Sequence, residues 1–182
     1  MKKVFVLSVV IFFGLFFDRL NIFKYCILSS FLHEAGHILR YIALTDKFPK
    51  IEFSVFGFKM KNDIKSLLQL TVILICGPLA NMILVFYCFS VLSSAFSLST
   101  YVFMIVNALI FTVNMLPVYY LDGGQLLYNY FTWYRDHYLS VSLITVVLIS
   151  VMVIYFTDVN YEMIIPFVAF ITYFSINSLQ VN

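Results

Sequence analysis

Two histidines and a glutamate lie within five residues of one another in the segment His33-Glu34-Ala35-Gly36-His37. On a helix, residues four apart lie on one face, one turn apart, so the two imidazoles would face a single metal ion. Glu34 lies on the same side and could reach a water held by that metal. This HExxH arrangement is typical of zinc-dependent hydrolysis with the glutamate as general base.

The segment around these residues, 25–44, is apolar and long enough to cross a bilayer. A carboxylate at the centre of a bilayer costs about 2.5–3.5 kcal/mol or more, so its presence there calls for a function. Metal-assisted peptide hydrolysis would supply that function for Glu34.

The composition of the whole chain is that of a polytopic membrane protein. Of its 182 residues, 63% are hydrophobic and only 11% are charged, which is more apolar surface than a water-soluble domain of this size needs. The net charge of +2 gives no indication of nucleic-acid binding. The three cysteines lie within apolar runs and form no CxxC pair, so we interpret them as residues of the membrane core.

We expect an all-α fold with about six transmembrane helices. Their expected bounds are about 4–17, 21–44, 66–92, 99–116, 138–156 and 163–178. The first run also resembles a signal peptide, but it has no small-x-small cleavage site, which favours an uncleaved span.

The charged stretch 45–65 differs from its apolar surroundings. Polar and apolar residues alternate over 51–55 and again over 58–61, on either side of Gly57. This pattern predicts a short β-hairpin at the membrane surface between the second and third spans. An ordinary amphipathic loop is the alternative interpretation. If the hairpin forms, its exposed edge could pair with an extended substrate strand.

The third span contains a second polar motif, Gly77-Pro78-Leu79-Ala80-Asn81. Proline kinks a helix, and small residues permit close helix approach. Asn81 is a polar group at membrane depth and should have a partner. The motif is therefore either a packing kink or part of the frame of an active site, in which Asn81 would bind substrate or the oxyanion.

A third motif runs from Asn114 to Gly124, where Pro117 and the pair Gly123 and Gly124 break the helix. Asp122 is the expected third metal ligand, although an aspartate before glycines is also typical of a solvated turn. Asn114 is expected either to donate to the oxyanion or orient the substrate, or to make a helix–helix hydrogen bond. The third histidine, His137, lies in an aromatic interfacial segment and is expected to be solvated.

Together, HEAGH at 33–37, GPLAN at 77–81 and NMLPVYYLDGG at 114–124 resemble the motifs of the site-2 protease family of intramembrane zinc metalloproteases. The resemblance implies one Zn²⁺ per chain. It also implies His33, His37 and Asp122 as the metal ligands and Glu34 as the catalytic base. The compact layout looks most like the sporulation factor FB branch. Tyr119 and Tyr120 stand where many members have another proline. We expect a single intramembrane domain over 1–182, with no PDZ and no CBS domain.

The resemblance also implies the partners and the location of the chain. We expect an endopeptidase in the lipid bilayer that cleaves a single-span or membrane-tethered protein near the cytoplasmic side, with a membrane regulatory partner possible. A catalytically silent scaffold of the same fold and a metal-ion carrier are the alternatives. With six spans, all lysines and arginines except Arg19 and Lys24 fall on one side, which predicts cytoplasmic termini and a location in the cell membrane.

Overall fold

A computed structural model describes residues 18, 20–54, 57–61 and 66–156. Five helices and two strands follow one another there: α1 (Ile22–Thr45), β1 (Lys50–Ser54), β2 (Gly57–Lys61), α2 (Leu67–Ser94), α3 (Leu98–Asn114), α4 (Asp122–Tyr130) and α5 (Thr132–Phe156). The chain divides into two compact units between Asn114 and Met115. The predicted spans 4–17 and 163–178 lie outside the described residues, and the single domain over 1–182 stays a prediction.

Helix α1 carries the first motif on its buried face. Its buried residues are Ser29, His33, His37 and Tyr41, each four positions after the previous one. Because a helix turns once in 3.6 residues, this spacing puts all four on one stripe. The helix ends at Asp46, which adopts a left-handed conformation (φ 53°) and donates its backbone N–H to the carbonyl of Ile42.

Strands β1 and β2 pair antiparallel, with Lys50 opposite Lys61 and Ser54 opposite Gly57. They overlap the two alternating stretches, 51–55 and 58–61, with bounds that differ by one residue. The location of this pair at a membrane surface, and an edge open to substrate, stay predictions.

Helices α1, α2 and α3 pack against one another in the first unit. Buried apolar residues of this unit include Ile73, Leu74 and Val106, and the buried amides Asn81 and Asn107 lie among them, both 0% exposed. Helix α2 runs from Leu67 to Ser94 with Pro78 inside it.

The number of membrane spans is not established by this fold. Within the described residues, α2 is long and apolar enough to cross a membrane, and α3 is a shorter apolar helix. Helix α1 carries Lys24, Glu34 and Arg40, which lower its hydropathy. Six spans therefore remain a prediction, although the helices cover the second to fifth predicted segments.

In the second unit, the loop 115–121 is bonded to α5. The hydroxyl of Tyr134 donates to the carbonyl of Pro117 (3.0 Å), and the backbone N–H of Tyr119 donates to Ser142 Oγ (3.2 Å). Tyr134 is 2% exposed. The helix break predicted from Pro117 is confirmed, since α3 ends at Asn114 and α4 begins at Asp122.

Candidate metal centre

The imidazoles of His33 and His37 converge on the buried face of α1. Their Nε2 atoms lie 3.2 Å apart, and the ring planes are nearly perpendicular at 82°. Each side chain is 5% exposed. The pairing expected from the spacing of four residues is therefore present.

The backbone of α2 orients His37. Its Nδ1 lies 2.7 Å from the carbonyl oxygen of Ile73. A carbonyl oxygen only accepts hydrogen bonds, so Nδ1 is the protonated nitrogen and donates. In a neutral imidazole the other nitrogen, Nε2, is then an acceptor.

The side chain of Asn81, also on α2, orients His33. Oδ1 of Asn81 lies 2.7 Å from Nδ1 of His33, while its Nδ2 donates to the carbonyl of Ser29 (3.3 Å) and to Oδ1 of Asn107 (2.9 Å). The expectation that Asn81 has a partner is confirmed. Its role in binding substrate stays a prediction, and its contacts here are those of a residue that positions His33.

The donor set fits a metal ion. If both rings are neutral and both Nδ1 atoms donate to oxygen, the two Nε2 atoms, 3.2 Å apart, are both acceptors. Two acceptors at this distance repel, and a cation between them turns the repulsion into attraction. Two nitrogens bound to tetrahedral zinc at about 2.0–2.1 Å would lie about 3.3 Å apart, close to the observed spacing.

Two glycines let α1 and α2 approach closely enough for these contacts. A Cβ on Gly36 would lie 2.5 Å from the carbonyl oxygen of Cys76, and a Cβ on Gly77 would meet Nε2 of His37. The predicted close approach at Gly77 is therefore confirmed. Pro78 follows Gly77 and has no N–H for the carbonyl four residues earlier, which weakens the backbone bonding of this turn.

Asp122 is the first residue of α4 in the second unit. A carboxylate is stabilised at a helix N-terminus by the unpaired N–H groups there. Gly123 and Gly124 let the loop 115–121 lie against this first turn. A Cβ on Gly123 would meet the carbonyl of Met115, and a Cβ on Gly124 would meet the carbonyl of Val118.

In the same loop, burial raises the pKa of the Tyr119 hydroxyl, and the neighbouring Tyr128 adds to the shift.

The remaining predicted residues are placed as follows. Glu34 is half-buried on α1 directly after His33. Asn114 ends α3 and donates Nδ2 to the carbonyl of Ile110 in its own helix (3.0 Å), so its predicted substrate contact stays a prediction. His137 is exposed, as expected, and its Nδ1 lies 2.9 Å from the carbonyl oxygen of Trp133.

Of the three expected ligands, His33 and His37 lie on α1 in the first unit, and Asp122 begins α4 in the second unit. Asn107 is a residue that the sequence analysis missed. It is an amide in the apolar helix α3, and a polar group at that depth was itself a signal that it has a specific partner.

Comparison with known proteins adds evidence from a different part of the chain. The family model of peptidase family M50 matches residues 93–157, a segment that includes Asn107 and the motif at 114–124 but not HEAGH at 33–37. A search of curated proteins finds no match. Peptidase family M50 is in general zinc-dependent and membrane-associated, which supports a role as a membrane metalloprotease. The resemblance to the site-2 protease family, peptidase family M50, is thereby confirmed over residues 93–157.

Proposed function

We propose that this chain is an intramembrane zinc metalloendopeptidase that cleaves a membrane-embedded or membrane-tethered protein near the cytoplasmic side. The observation that carries the proposal is the pair of buried histidines on α1. Their Nε2 atoms lie 3.2 Å apart, and both Nδ1 atoms are held by oxygen acceptors on α2. Histidine ligands of metals are typically fixed by such bonds from the second ring nitrogen.

In this proposal His33, His37 and Asp122 would hold one zinc ion. Three protein ligands are the usual number in a catalytic zinc site, because one position must stay available for water or substrate. Bound zinc would supply a water activated at neutral pH and would polarise the scissile carbonyl.

Glu34 would act as the general base. Its position directly after His33 on the same helix is the one that the HExxH pattern assigns to the base. It would accept the proton of the attacking water and deliver it to the leaving amine, so that the carboxylate is regenerated in each turnover.

The substrate would be a transmembrane or membrane-tethered segment that unwinds locally. A helix keeps its peptide bonds in internal hydrogen bonds, so a bond must leave the helix before water can attack its carbonyl. Substrate spans with helix-weakening residues are therefore favoured. The antiparallel pair β1 and β2 would offer an edge along which the unwound segment can extend.

Two alternative functions make different predictions. A catalytically silent scaffold of the same fold would not need Glu34 beside the histidine pair. A metal-ion carrier would release its ion across the bilayer and would not cleave peptides. The presence of all three expected ligands and of Glu34 favours the protease over the scaffold, and Glu34 with the glycine pair after Asp122 favours it over the carrier.

The test compares cells that contain the wild-type chain with cells that contain Glu34→Gln. Glutamine keeps the size of the side chain and removes the base, so zinc should stay bound while cleavage is lost. We expect membrane-protein fragments with new termini inside apolar segments in wild-type cells, and the uncut precursors in Glu34→Gln cells. Identical fragments in both would overturn the proposed role of Glu34. Zinc uptake into vesicles without proteolysis would support the carrier.

A further inference from the structure

We propose that Asn107 and Asn81 are positioning residues that fix the tautomer of His33, so that its Nε2 is an acceptor directed at the metal site. The inference rests on the proposed function in one respect, which is that Nε2 of His33 is a zinc ligand. The three side chains form a hydrogen-bond relay that runs from Asn107 on α3 through Asn81 on α2 to His33 on α1, and they are far apart in the sequence.

The relay begins at a backbone carbonyl, whose direction of hydrogen bonding is not ambiguous. Nδ2 of Asn107 lies 2.8 Å from the carbonyl oxygen of Phe103, one turn earlier on α3. Only the NH₂ group of an amide can donate to a carbonyl, which leaves Oδ1 of Asn107 on the opposite side. That oxygen lies 2.9 Å from Nδ2 of Asn81.

The orientation of the Asn81 amide follows from this contact. Its Nδ2 faces two acceptors, Oδ1 of Asn107 and the carbonyl oxygen of Ser29 at 3.3 Å. Its Oδ1 must then face His33, where it lies 2.7 Å from Nδ1. Because this oxygen only accepts, Nδ1 of His33 carries the proton and Nε2 keeps the lone pair that a metal needs.

His37 provides an internal comparison on the same helix. Its Nδ1 is paired with the backbone carbonyl of Ile73, an acceptor that cannot rotate. An amide side chain, by contrast, can turn by about 180° and exchange its donor and acceptor groups. The tautomer of His33 therefore depends on an amide side chain whose shorter hydrogen bond is to Asn107, whereas that of His37 depends on a backbone carbonyl alone.

Removing Oδ1 of Asn107, which accepts from Asn81, should reverse the orientation of the Asn81 amide towards His33. In Asn107→Leu, Nδ2 of Asn81 loses its shorter bond and keeps only the longer one to Ser29. The amide can then turn its NH₂ group towards His33, which moves the proton of that ring to Nε2 and blocks metal binding there. Loss of an outer partner of this kind typically lowers metal affinity by about 10–100-fold.

Asn107→Asp is the matched variant. It has nearly the same volume, and a buried carboxylic acid in its neutral form can donate to the carbonyl of Phe103 and accept from Nδ2 of Asn81. It should therefore retain the wild-type tautomer. Thr112→Val is the control for loss of a side-chain bond elsewhere on α3, since Thr112 is exposed and donates to the carbonyl of Ala108 at 2.8 Å.

The experiment measures the ¹⁵N shifts of the imidazoles in metal-free, ¹⁵N-histidine-labelled protein in detergent, and then the zinc affinity by competition with a chelator. For His33 we expect a protonated Nδ1 in wild type, Asn107→Asp and Thr112→Val, and a protonated Nε2 in Asn107→Leu. His37 should keep a protonated Nδ1 throughout. Zinc affinity should fall about 10–100-fold in Asn107→Leu alone.

The two measurements separate failure of this inference from failure of the proposed function. A protonated Nε2 of His33 in the wild type would overturn the inference even if no variant folded. An unchanged tautomer and affinity in folded Asn107→Leu would also overturn it and leave the proposed function intact. If the tautomers follow the expectation but wild-type protein binds no zinc, the positioning role stands and the metalloprotease proposal fails.

Discussion

Nδ1 of His33 lies 2.7 Å from Oδ1 of Asn81, although 48 positions separate the two residues in the sequence. Four residues further along α1, His37 makes the corresponding contact with Ile73 on α2, eight residues before Asn81. The helices therefore run antiparallel at this crossing, with Gly77 midway between the two acceptors. The HEAGH motif on α1 supplies both imidazoles, and α2 orients them, through Asn81 of the GPLAN motif for His33 and through the carbonyl of Ile73 for His37.

Replacing Asp122 by asparagine should remove most of the bound zinc. Asparagine keeps the size of the side chain but loses the negative charge, and a neutral amide is a much poorer zinc ligand than a carboxylate. We expect about one zinc per wild-type chain purified in mild detergent and much less in Asp122→Asn, as measured by elemental analysis. A wild-type chain without zinc under these conditions would favour the silent scaffold.

Chelation should abolish cleavage reversibly. Removal of zinc leaves Glu34 without an activated water to deprotonate, so the rate should fall to background. Adding zinc back should restore the activity of wild type but not that of Glu34→Gln, since general-base catalysis typically contributes about 10²–10⁴-fold. Full activity in the presence of a chelator that has removed all measurable zinc would contradict a metal-dependent mechanism.

Gly77→Ala should displace the ring of His37, because the added Cβ would meet Nε2 of that imidazole. Overpacking of this kind typically costs about 1–3 kcal/mol of folding free energy. We expect zinc affinity to fall at least about tenfold, as for loss of an outer partner of a ligand. Leu79→Ala is the control on the same helix, since Leu79 is 44% exposed, and it should leave zinc affinity unchanged. Equal affinities in the two variants would show that Gly77 does not limit the position of His37.

Tyr134→Phe should loosen the loop that precedes Asp122. The substitution removes the hydroxyl that donates to the carbonyl of Pro117 and leaves that acceptor without this bond. The expected loss is about 0.5–1.5 kcal/mol of the free energy of unfolding, measured by reversible unfolding in mixed detergent. Tyr101→Phe serves as the control because Tyr101 is 44% exposed. The free energy of unfolding of this variant should equal that of wild type.

Several features of the fold follow from short stretches of sequence. The spacing of His33 and His37 predicted two imidazoles on one helix face, because helix geometry alone relates residues four apart. Pro117 predicted the break between α3 and α4, since proline removes a backbone hydrogen bond of a helix. The prediction that Gly123 and Gly124 also break the helix was wrong, because both lie in the first turn of α4. The alternation around Gly57 likewise coincides with β1 and β2.

The assignment of single polar residues depended on contacts between helices. The sequence indicated that Asn81 needs a partner, but not that the partner is His33, and it gave no role to Asn107. Which amide meets which imidazole depends on the register of α1, α2 and α3, and that register depends on which faces pack and on the closeness that Gly36 and Gly77 permit. The sequence by itself therefore determined the chemical groups and their local spacing. The tertiary structure decided their pairing, because hydrogen bonds reach only about 3 Å and act between residues that packing has brought together.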